Sequence, residues 1–225
     1  MSGFRAVWNG LDWSALLEIA LRVIPALICI TLHELAHGLA AYRLGDDTAK
    51  NAGRLTLNPL ASLDITGLIA MVIVGFGWAK PVPVDMRKFS NPKRGMAITA
   101  LAGPLMNFLI AVVFLFLYGL TFDRLYNAGT VARSFSQMIG STAYLSLALG
   151  LFNLIPISPL DGSKIFFSFL PDETYDRLMR IERYGMIILI ILALTGATSG
   201  VLSTVTAWAY DKLFFIAEFA FELVN

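Results

Sequence analysis

Both histidines of this chain lie in one long apolar segment, within the five residues His33-Glu34-Leu35-Ala36-His37. In a helix, side chains four residues apart share a face, so the two imidazoles can converge on one metal ion. Glu34 points about 100° away from them and can act as a base without binding the metal. HExxH also occurs by chance, but ionisable groups are costly in hydrocarbon, which argues against chance here. The segment therefore predicts a metal site within a membrane helix.

The composition is that of an integral membrane protein. Of 225 residues, 57% are hydrophobic and only 15% are charged, whereas soluble domains carry about 25% charged residues. The net charge of +1 gives no reason to expect a nucleic-acid partner. The single cysteine, Cys29, excludes an intramolecular disulfide framework.

The distribution of apolar segments predicts an all-α polytopic membrane protein, with residues 1–225 forming one membrane-embedded domain. A crossing needs about 20 apolar residues. Four segments satisfy this requirement, and they are residues 14–43, 96–121, 137–157 and 184–205. In the tail, residues 206–225, acidic side chains form one polar stripe on an otherwise apolar helix, which predicts an amphipathic helix at the membrane interface.

The region between the first two spans, residues 44–95, is of mixed character. It contains a short β-like run, Arg54 to Leu57, between turn residues. Its apolar stretch at 65–79 is short for a crossing, so we predict a re-entrant, β-hairpin-like segment there.

The basic residues predict an orientation. If residues 65–79 do not cross the bilayer, segments 43–95 and 160–183 lie on one side and hold twelve of the 17 lysines and arginines. The positive-inside rule then places the amino terminus outside the cell and the histidine pair toward the cytoplasm.

A catalytic zinc site needs a third protein ligand and an open position. Cys29 shares a face with both histidines but lies roughly 12 Å from position 37 along a straight helix, too far to bind the same ion. Among the carboxylates, Asp161 ends an apolar span where prolines break the helix, and such a break at membrane depth can line a cavity. Asp161 could instead cap a helix over residues 163–169, and Asp64 and Asp85 are further candidates.

With these motifs the chain resembles the site-2 proteases, a family of intramembrane zinc metalloproteases. The resemblance covers roughly residues 30–185 and is carried by HELAH at 33–37, RLTLNPL at 54–60 with the preceding Gly53, GWAKPVPVD at 77–85, AGPLMN at 102–107 and NLIPISPLDG at 153–162. It is similar to the short bacterial and archaeal branch, without a PDZ or CBS domain. That branch usually has His-Ile-Asp-Pro where this chain reads Ser62-Leu63-Asp64-Ile65.

The resemblance implies the chemistry of the site. His33, His37 and Asp161 would bind one Zn²⁺ per chain, and Glu34 would be the general base. Asn107 and Asn153 would be polar groups near the cleft, able to donate a hydrogen bond to a developing oxyanion. The implied function is hydrolysis of peptide bonds within or near transmembrane segments of membrane proteins, in a cell-membrane enzyme whose partners are those substrates and the bilayer.

Two further interpretations concern the substrate and the rival function classes. Pro81 and Pro83 lack N–H donors, so Val82 and Val84 could capture an unwound substrate by strand addition, or the stretch could be a rigid surface turn. A metal-binding transporter would also carry buried histidines and carboxylates, and a catalytically silent scaffold is a third interpretation. The substrate and any homo-oligomer are left open by the sequence.

Overall fold

The computed structural model describes residues 13–67, 78–196 and 199–224. In chain order its helices are α1 (Trp13–Arg43), α2 (Thr48–Asn51), α3 (Pro92–Asn127), α4 (Thr130–Asn153), α5 (Asp161–Phe167), α6 (Asp172–Thr195), α7 (Ser199–Leu213) and α8 (Phe215–Glu222), with 3₁₀ turns at Pro59–Ser62 and Met86–Lys88. No strand occurs among the described residues. The all-α prediction is therefore confirmed.

Within the described part of the chain, three helices are long and apolar enough to cross a bilayer, and they are Ile19–Arg43 of α1, the whole of α3 and the whole of α4. The predicted count of four spans is not confirmed. The fourth predicted span, 184–205, is not one helix, since α6 ends at Thr195 and α7 begins at Ser199. Gly196 follows α6 with φ 66°, a left-handed conformation that stops a helix.

The predicted re-entrant segment lies mostly outside the described residues, because 68–77 are not among them. Its flanks are described and contain no strand. Arg54 has no regular secondary structure and residues 55–57 are bends, so the predicted β-like run does not form. Residues 78–85, which we name the strap, have no regular secondary structure. The hairpin is therefore not confirmed.

Local sequence explains where the long helices begin and end. Gly45, with φ 103°, follows the end of α1 in a conformation that residues other than glycine rarely adopt. The side chain of Asn91 accepts a hydrogen bond from the Arg94 amide, and Pro92 occupies the first turn of α3, where its missing N–H costs nothing. These signals set where α1 ends and where α3 begins.

Helices α3 and α4 run antiparallel and α1 packs against both. Near the beginning of α3, Asn107 lies against Gly150 of α4, whereas farther along α3 Tyr118 lies against Gly140. The thiol of Cys29 on α1 lies 3.8 Å from the Thr142 carbonyl oxygen of α4. The described segments 44–67, 78–91 and 154–160 consequently meet at the end of the bundle that holds His33 and His37.

The carboxyl-terminal helices cover the opposite end of the bundle. Leu115 of α3, Ala143 of α4 and Ala217 of α8 form a buried cluster, around which Tyr118 and Phe214 pack. The predicted single tail helix is in fact two helices, separated at Phe214. Its interfacial position remains a prediction.

Gly119 sets how closely α8 approaches α3. A Cβ added at Gly119 would lie 2.0 Å from the Ala217 carbonyl oxygen, whereas one added at Gly200 of α7 would meet nothing within 4 Å. Alanine favours a helix over glycine by about 1 kcal/mol, but overpacking costs about 1–3 kcal/mol. We expect Gly119→Ala to lower the unfolding temperature of detergent-purified protein, and Gly200→Ala to leave it equal or higher. Equal behaviour of the two variants would contradict the close packing of α8.

Candidate metal centre

Three possible ligand atoms converge at one point between α1 and the start of α5. His33 Nε2 lies 2.9 Å from His37 Nε2, and each of these nitrogens lies 3.2 Å from Asp161 Oδ2. A tetrahedral zinc ion with bonds of about 2.0–2.2 Å separates its ligand atoms by roughly 3.3 Å. The triangle is therefore of the right size for one zinc ion.

The burial of this triangle also favours a cation. Relative exposures are 5% for His33, 9% for His37 and 9% for Asp161. Asp161 Oδ2 is buried and accepts no hydrogen bond. A buried carboxylate oxygen without a partner is costly, and a bound cation would supply that partner. The donor set, two imidazoles and one carboxylate, is one that catalytic zinc sites use.

Asp161 does not serve as a helix cap. It is the first residue of α5, whose N-cap position is Leu160, and no side chain caps that helix. The carboxylate faces the imidazoles of α1 instead. The other candidate carboxylates do cap: Asp64 accepts the Gly67 amide, and Asp85 accepts the Arg87 amide. Neither belongs to the convergent group, and neither does Cys29.

Each imidazole has a contact on its outer nitrogen. His37 Nδ1 lies 2.7 Å from the Thr99 carbonyl oxygen, so Nδ1–H donates to that oxygen and Nε2 keeps its lone pair for a metal. Thr99 precedes Gly103 by one turn of α3. A Cβ at Gly103 would lie 2.4 Å from His37 Nε2 and 2.5 Å from His33 Cε1, so only glycine lets α3 approach both rings.

Asn107 lies behind His33 rather than in the cleft. Its side chain is fully buried, and its amide nitrogen is 3.0 Å from His33 Nδ1, while Oδ1 has no partner. Rotation of the Asn107 side-chain amide by 180° brings its Oδ1 to the Nδ1–H of His33. This gives the buried oxygen a donor and leaves His33 Nε2 free for a metal. In this position the amide contacts His33, and Asn107 is not among the residues that line the cavity. We infer that Asn107 orients His33, and the oxyanion contact remains a prediction.

Glu34 lies beside the triangle without belonging to it. Its Oε2 accepts a hydrogen bond of 3.0 Å from the Val82 amide of the strap. The Val82 N–H is therefore engaged with Glu34, and the predicted free edge for substrate is not free at this position. Among the described residues no partner is seen for the Val84 amide.

A cavity of about 710 Å³ opens onto the imidazoles, Glu34 and Asp161. Its walls come from α1, the strap, the beginning of α3 and the end of α4. Asn153 lines it and donates one amide hydrogen to the Leu149 carbonyl oxygen at 2.9 Å. Its second amide hydrogen is available to a group in the cavity. Residues 62–64 also line this cavity. They lie where this chain differs from the His-Ile-Asp-Pro sequence that is usual in the short site-2 protease branch.

Comparison with known proteins agrees with this geometry. The model of Peptidase family M50 matches residues 120–196. A Bacillus subtilis protein named "Putative zinc metalloprotease YwhC" is 39% identical over 186 residues, which are 80% of this chain and 83% of that protein. The chain belongs to peptidase family M50. No solved structure matches it significantly.

More distant M50 relatives have similar names. "Putative zinc metalloprotease Rip2" of Mycolicibacterium smegmatis is 31% identical over 191 residues, 82% of this chain and 71% of that protein. Rip2 of Mycobacterium tuberculosis strain H37Rv is 29% identical over 192 residues, with the same two shares. M50 comprises the site-2 proteases, so the family supports an intramembrane zinc metalloprotease with Zn²⁺ as its cofactor.

Four contributors to this M50 site are not predicted from the sequence. The Thr99 carbonyl and the Val82 amide are backbone groups, which leave no residue signature. Gly103 lies inside AGPLMN, where a small residue beside a proline carries no chemistry of its own. The serine hydroxyl of Ser146 donates to the Asn107 carbonyl oxygen at 2.8 Å, a helix-to-helix contact that spacing along the chain does not reveal.

The inferred role of Asn107 predicts a change in zinc affinity. Loss of an outer contact to a ligating histidine typically weakens metal binding by about 10–100-fold, so Asn107→Leu should weaken zinc binding by this factor. Asn107→Asp, which keeps an acceptor on Nδ1–H, should bind zinc more tightly than Asn107→Leu. The measurement is competition with a chromogenic chelator in detergent. Wild-type affinity in Asn107→Leu would contradict the role.

Proposed function

We propose that this protein hydrolyses peptide bonds within or near transmembrane segments of membrane proteins. In this proposal His33, His37 and Asp161 hold the zinc ion and Glu34 is the general base. The observation that carries it is the convergence of three buried ligand atoms beside a carboxylate that is not itself a ligand. The family membership supports the same reaction class.

The depth of the site supports an intramembrane reaction. His33 precedes the end of α1 by ten residues, which is roughly 15 Å along a helix. A hydrocarbon core is about 30 Å thick. A peptide bond that reaches the cavity from the membrane would therefore be attacked below the surface, in a site lined mainly by apolar side chains.

Zinc, when bound, supplies a Lewis acid for the scissile carbonyl and lowers the pKa of water to about 7. Glu34 takes the proton from the attacking water and passes it to the leaving amine nitrogen. The Val82 amide fixes Oε2, so that Oε1 remains for this proton transfer. Asn153, through its second amide hydrogen, donates to the carbonyl oxygen as negative charge develops on it.

Substrate must reach the site in an extended form, because a helix hides its carbonyl groups in internal hydrogen bonds. The strap forms one wall of the cavity, and the Val84 amide is a donor in it that has no partner among the described residues. We propose that Val84, with the carbonyl groups beside it, pairs with the unwound substrate by strand addition. Val82 contributes its side chain to the same wall and its amide to Glu34.

We also propose that the amino terminus is extracytoplasmic and that the site opens toward the cytoplasm. The described segments 44–67, 78–91 and 154–160 share one end of the bundle, and twelve of the 17 basic residues lie in segments 43–95 and 160–183. Positive charge near membrane helices favours the cytoplasmic side.

The role of Glu34 can be tested by Glu34→Gln. Removal of a general base lowers rates by about 10²–10⁴-fold, while the three zinc ligands stay in place. We expect membrane fragments found in wild-type cells by terminal-selective mass spectrometry to vanish in the variant, with zinc per purified chain unchanged. Exposed Glu173, changed to glutamine, is the matched control and should keep the fragments. Persistence of every fragment in Glu34→Gln would favour a transporter or scaffold.

The orientation can be tested by single-cysteine labelling, because Cys29 is buried. Cysteine at exposed Arg87, beside the strap, should react with a membrane-impermeant maleimide only after the cells are opened. Cysteine at exposed Arg124, near the far end of α3, should react in intact cells. The reverse pattern would place the site on the extracytoplasmic side.

A further inference from the structure

The contact between the strap and Glu34 depends on register. Val82 stands between Pro81 and Pro83, neither of which has an N–H. If the strap slid by one residue in either direction, a proline would face Glu34 and the hydrogen bond of 3.0 Å would be lost. The carboxylate is therefore oriented by an amide that no adjacent residue can replace.

Arg54 and Ser62 hold the beginning of this stretch. The Arg54 guanidinium donates to the Lys80 carbonyl oxygen at 2.7 Å, and the Lys80 amide donates to the Ser62 carbonyl oxygen at 3.0 Å. Both contacts lie two residues before Val82. They fix the strap against the loop that follows α2.

Asp46 holds the other end of the strap. Its Oδ2 accepts the Asp85 amide at 2.8 Å, three residues after Val82. The Asp46 amide donates to the Ala41 carbonyl oxygen at 2.9 Å, so this anchor is attached to the end of α1, the helix that carries Glu34. The strap is thus positioned relative to its own catalytic helix.

Asp46 is an unusual loop carboxylate because its side chain is fully buried. Its Oδ1 accepts the Thr48 amide and hydroxyl, and Lys88 Nζ lies 3.7 Å away. Burial by itself would raise the pKa of Asp46, but these hydrogen bonds and the Asp85 amide outweigh burial and lower it. The anchor is consequently an anion at neutral pH, and hydrogen bonds to an anion are the stronger kind.

We propose that Asp46 and Arg54 are positioning residues, which hold the strap in the one register where the Val82 amide orients Glu34. This inference rests on the proposed function, in which Glu34 is the base. Neither side chain belongs to the convergent metal-binding group, and neither lines the cavity.

A double-mutant cycle tests the proposal on zinc-loaded, full-length protein in detergent. The substrate is fluorescein-labelled casein, an unfolded protein that needs no helix unwinding. The variants are Asp46→Asn, Val82→Pro and their combination, with zinc per chain and unfolding temperature measured for each. Asp123→Asn, at the far end of α3, is the matched control for loss of one carboxylate.

We expect kcat to fall about tenfold or more in Val82→Pro, because a hydrogen bond to a charged group is lost. Asp46→Asn should lower kcat in the same direction, with KM within about twofold, as expected for a positioning role that leaves uniform binding intact. The combined variant should be no slower than Val82→Pro alone, since both changes act through one contact. Val82→Ala, which keeps the N–H, should lose less than Val82→Pro, and Asp123→Asn should match the wild type.

Independent, multiplying effects of Asp46→Asn and Val82→Pro would overturn the proposal, as would full kcat in Val82→Pro. Loss of zinc in parallel with activity would also overturn it, because the role would then be structural. If Asp46→Asn does not fold, Arg54→Gln takes its place in the same cycle. Full activity of Val82→Pro beside an inactive Glu34→Gln refutes only this inference, whereas an active Glu34→Gln refutes the proposed function.

Discussion

Two imidazoles and one carboxylate converge inside a largely apolar helix bundle. Their need for polar partners constrains how the surrounding helices pack. Ionisable groups at this depth are stable only when every polar atom has a partner. The outer nitrogens of His33 and His37 have partners on α3, and the Asp161 oxygen faces the inner nitrogens. Helices α1, α3 and α5 must therefore converge here, with Gly103 allowing the approach.

The strap adds a second group of polar contacts beside the two imidazoles and the Asp161 carboxylate. Its backbone, rather than its side chains, contacts the Glu34 carboxylate, and buried Asp46 holds its end. The contacts made by α3 and those made by the strap position different side chains. In the proposed function, contacts from α3 orient the two histidine ligands, whereas the strap orients Glu34, the proposed base. The proposal therefore assigns the control of zinc affinity and the control of turnover to separate parts of the chain.

Much of this site could be predicted from the sequence because its signals are local. The i, i+4 histidines on an apolar helix indicate a shared face, and the first three spans follow from length and hydropathy. Asp161 is different: spacing alone does not distinguish a metal ligand from a helix cap at this position, and the family resemblance selects the ligand. Its selection agrees with the structure because no cap hydrogen bond forms there.

The features that the sequence does not predict depend on contacts and backbone conformations that form only in the fold. Hydropathy cannot reveal that Gly196 stops α6 inside the predicted fourth span, since apolar residues continue on both sides. Residue type suggests a place near the cleft for Asn107, but the packing of α3 turns its amide toward the outer nitrogen of His33. The sequence likewise leaves the Val82 donor free, whereas in the fold this amide donates to Glu34.

The chain has only two imidazoles, and both lie in this centre. Selective ¹⁵N labelling of histidine would therefore give a nuclear magnetic resonance spectrum in which every ring-nitrogen signal reports on the active centre. Protonated, lone-pair and metal-bound ring nitrogens resonate in different regions of such a spectrum. The protonation pattern that α3 imposes on each ring could be observed directly, without any substitution in the protein.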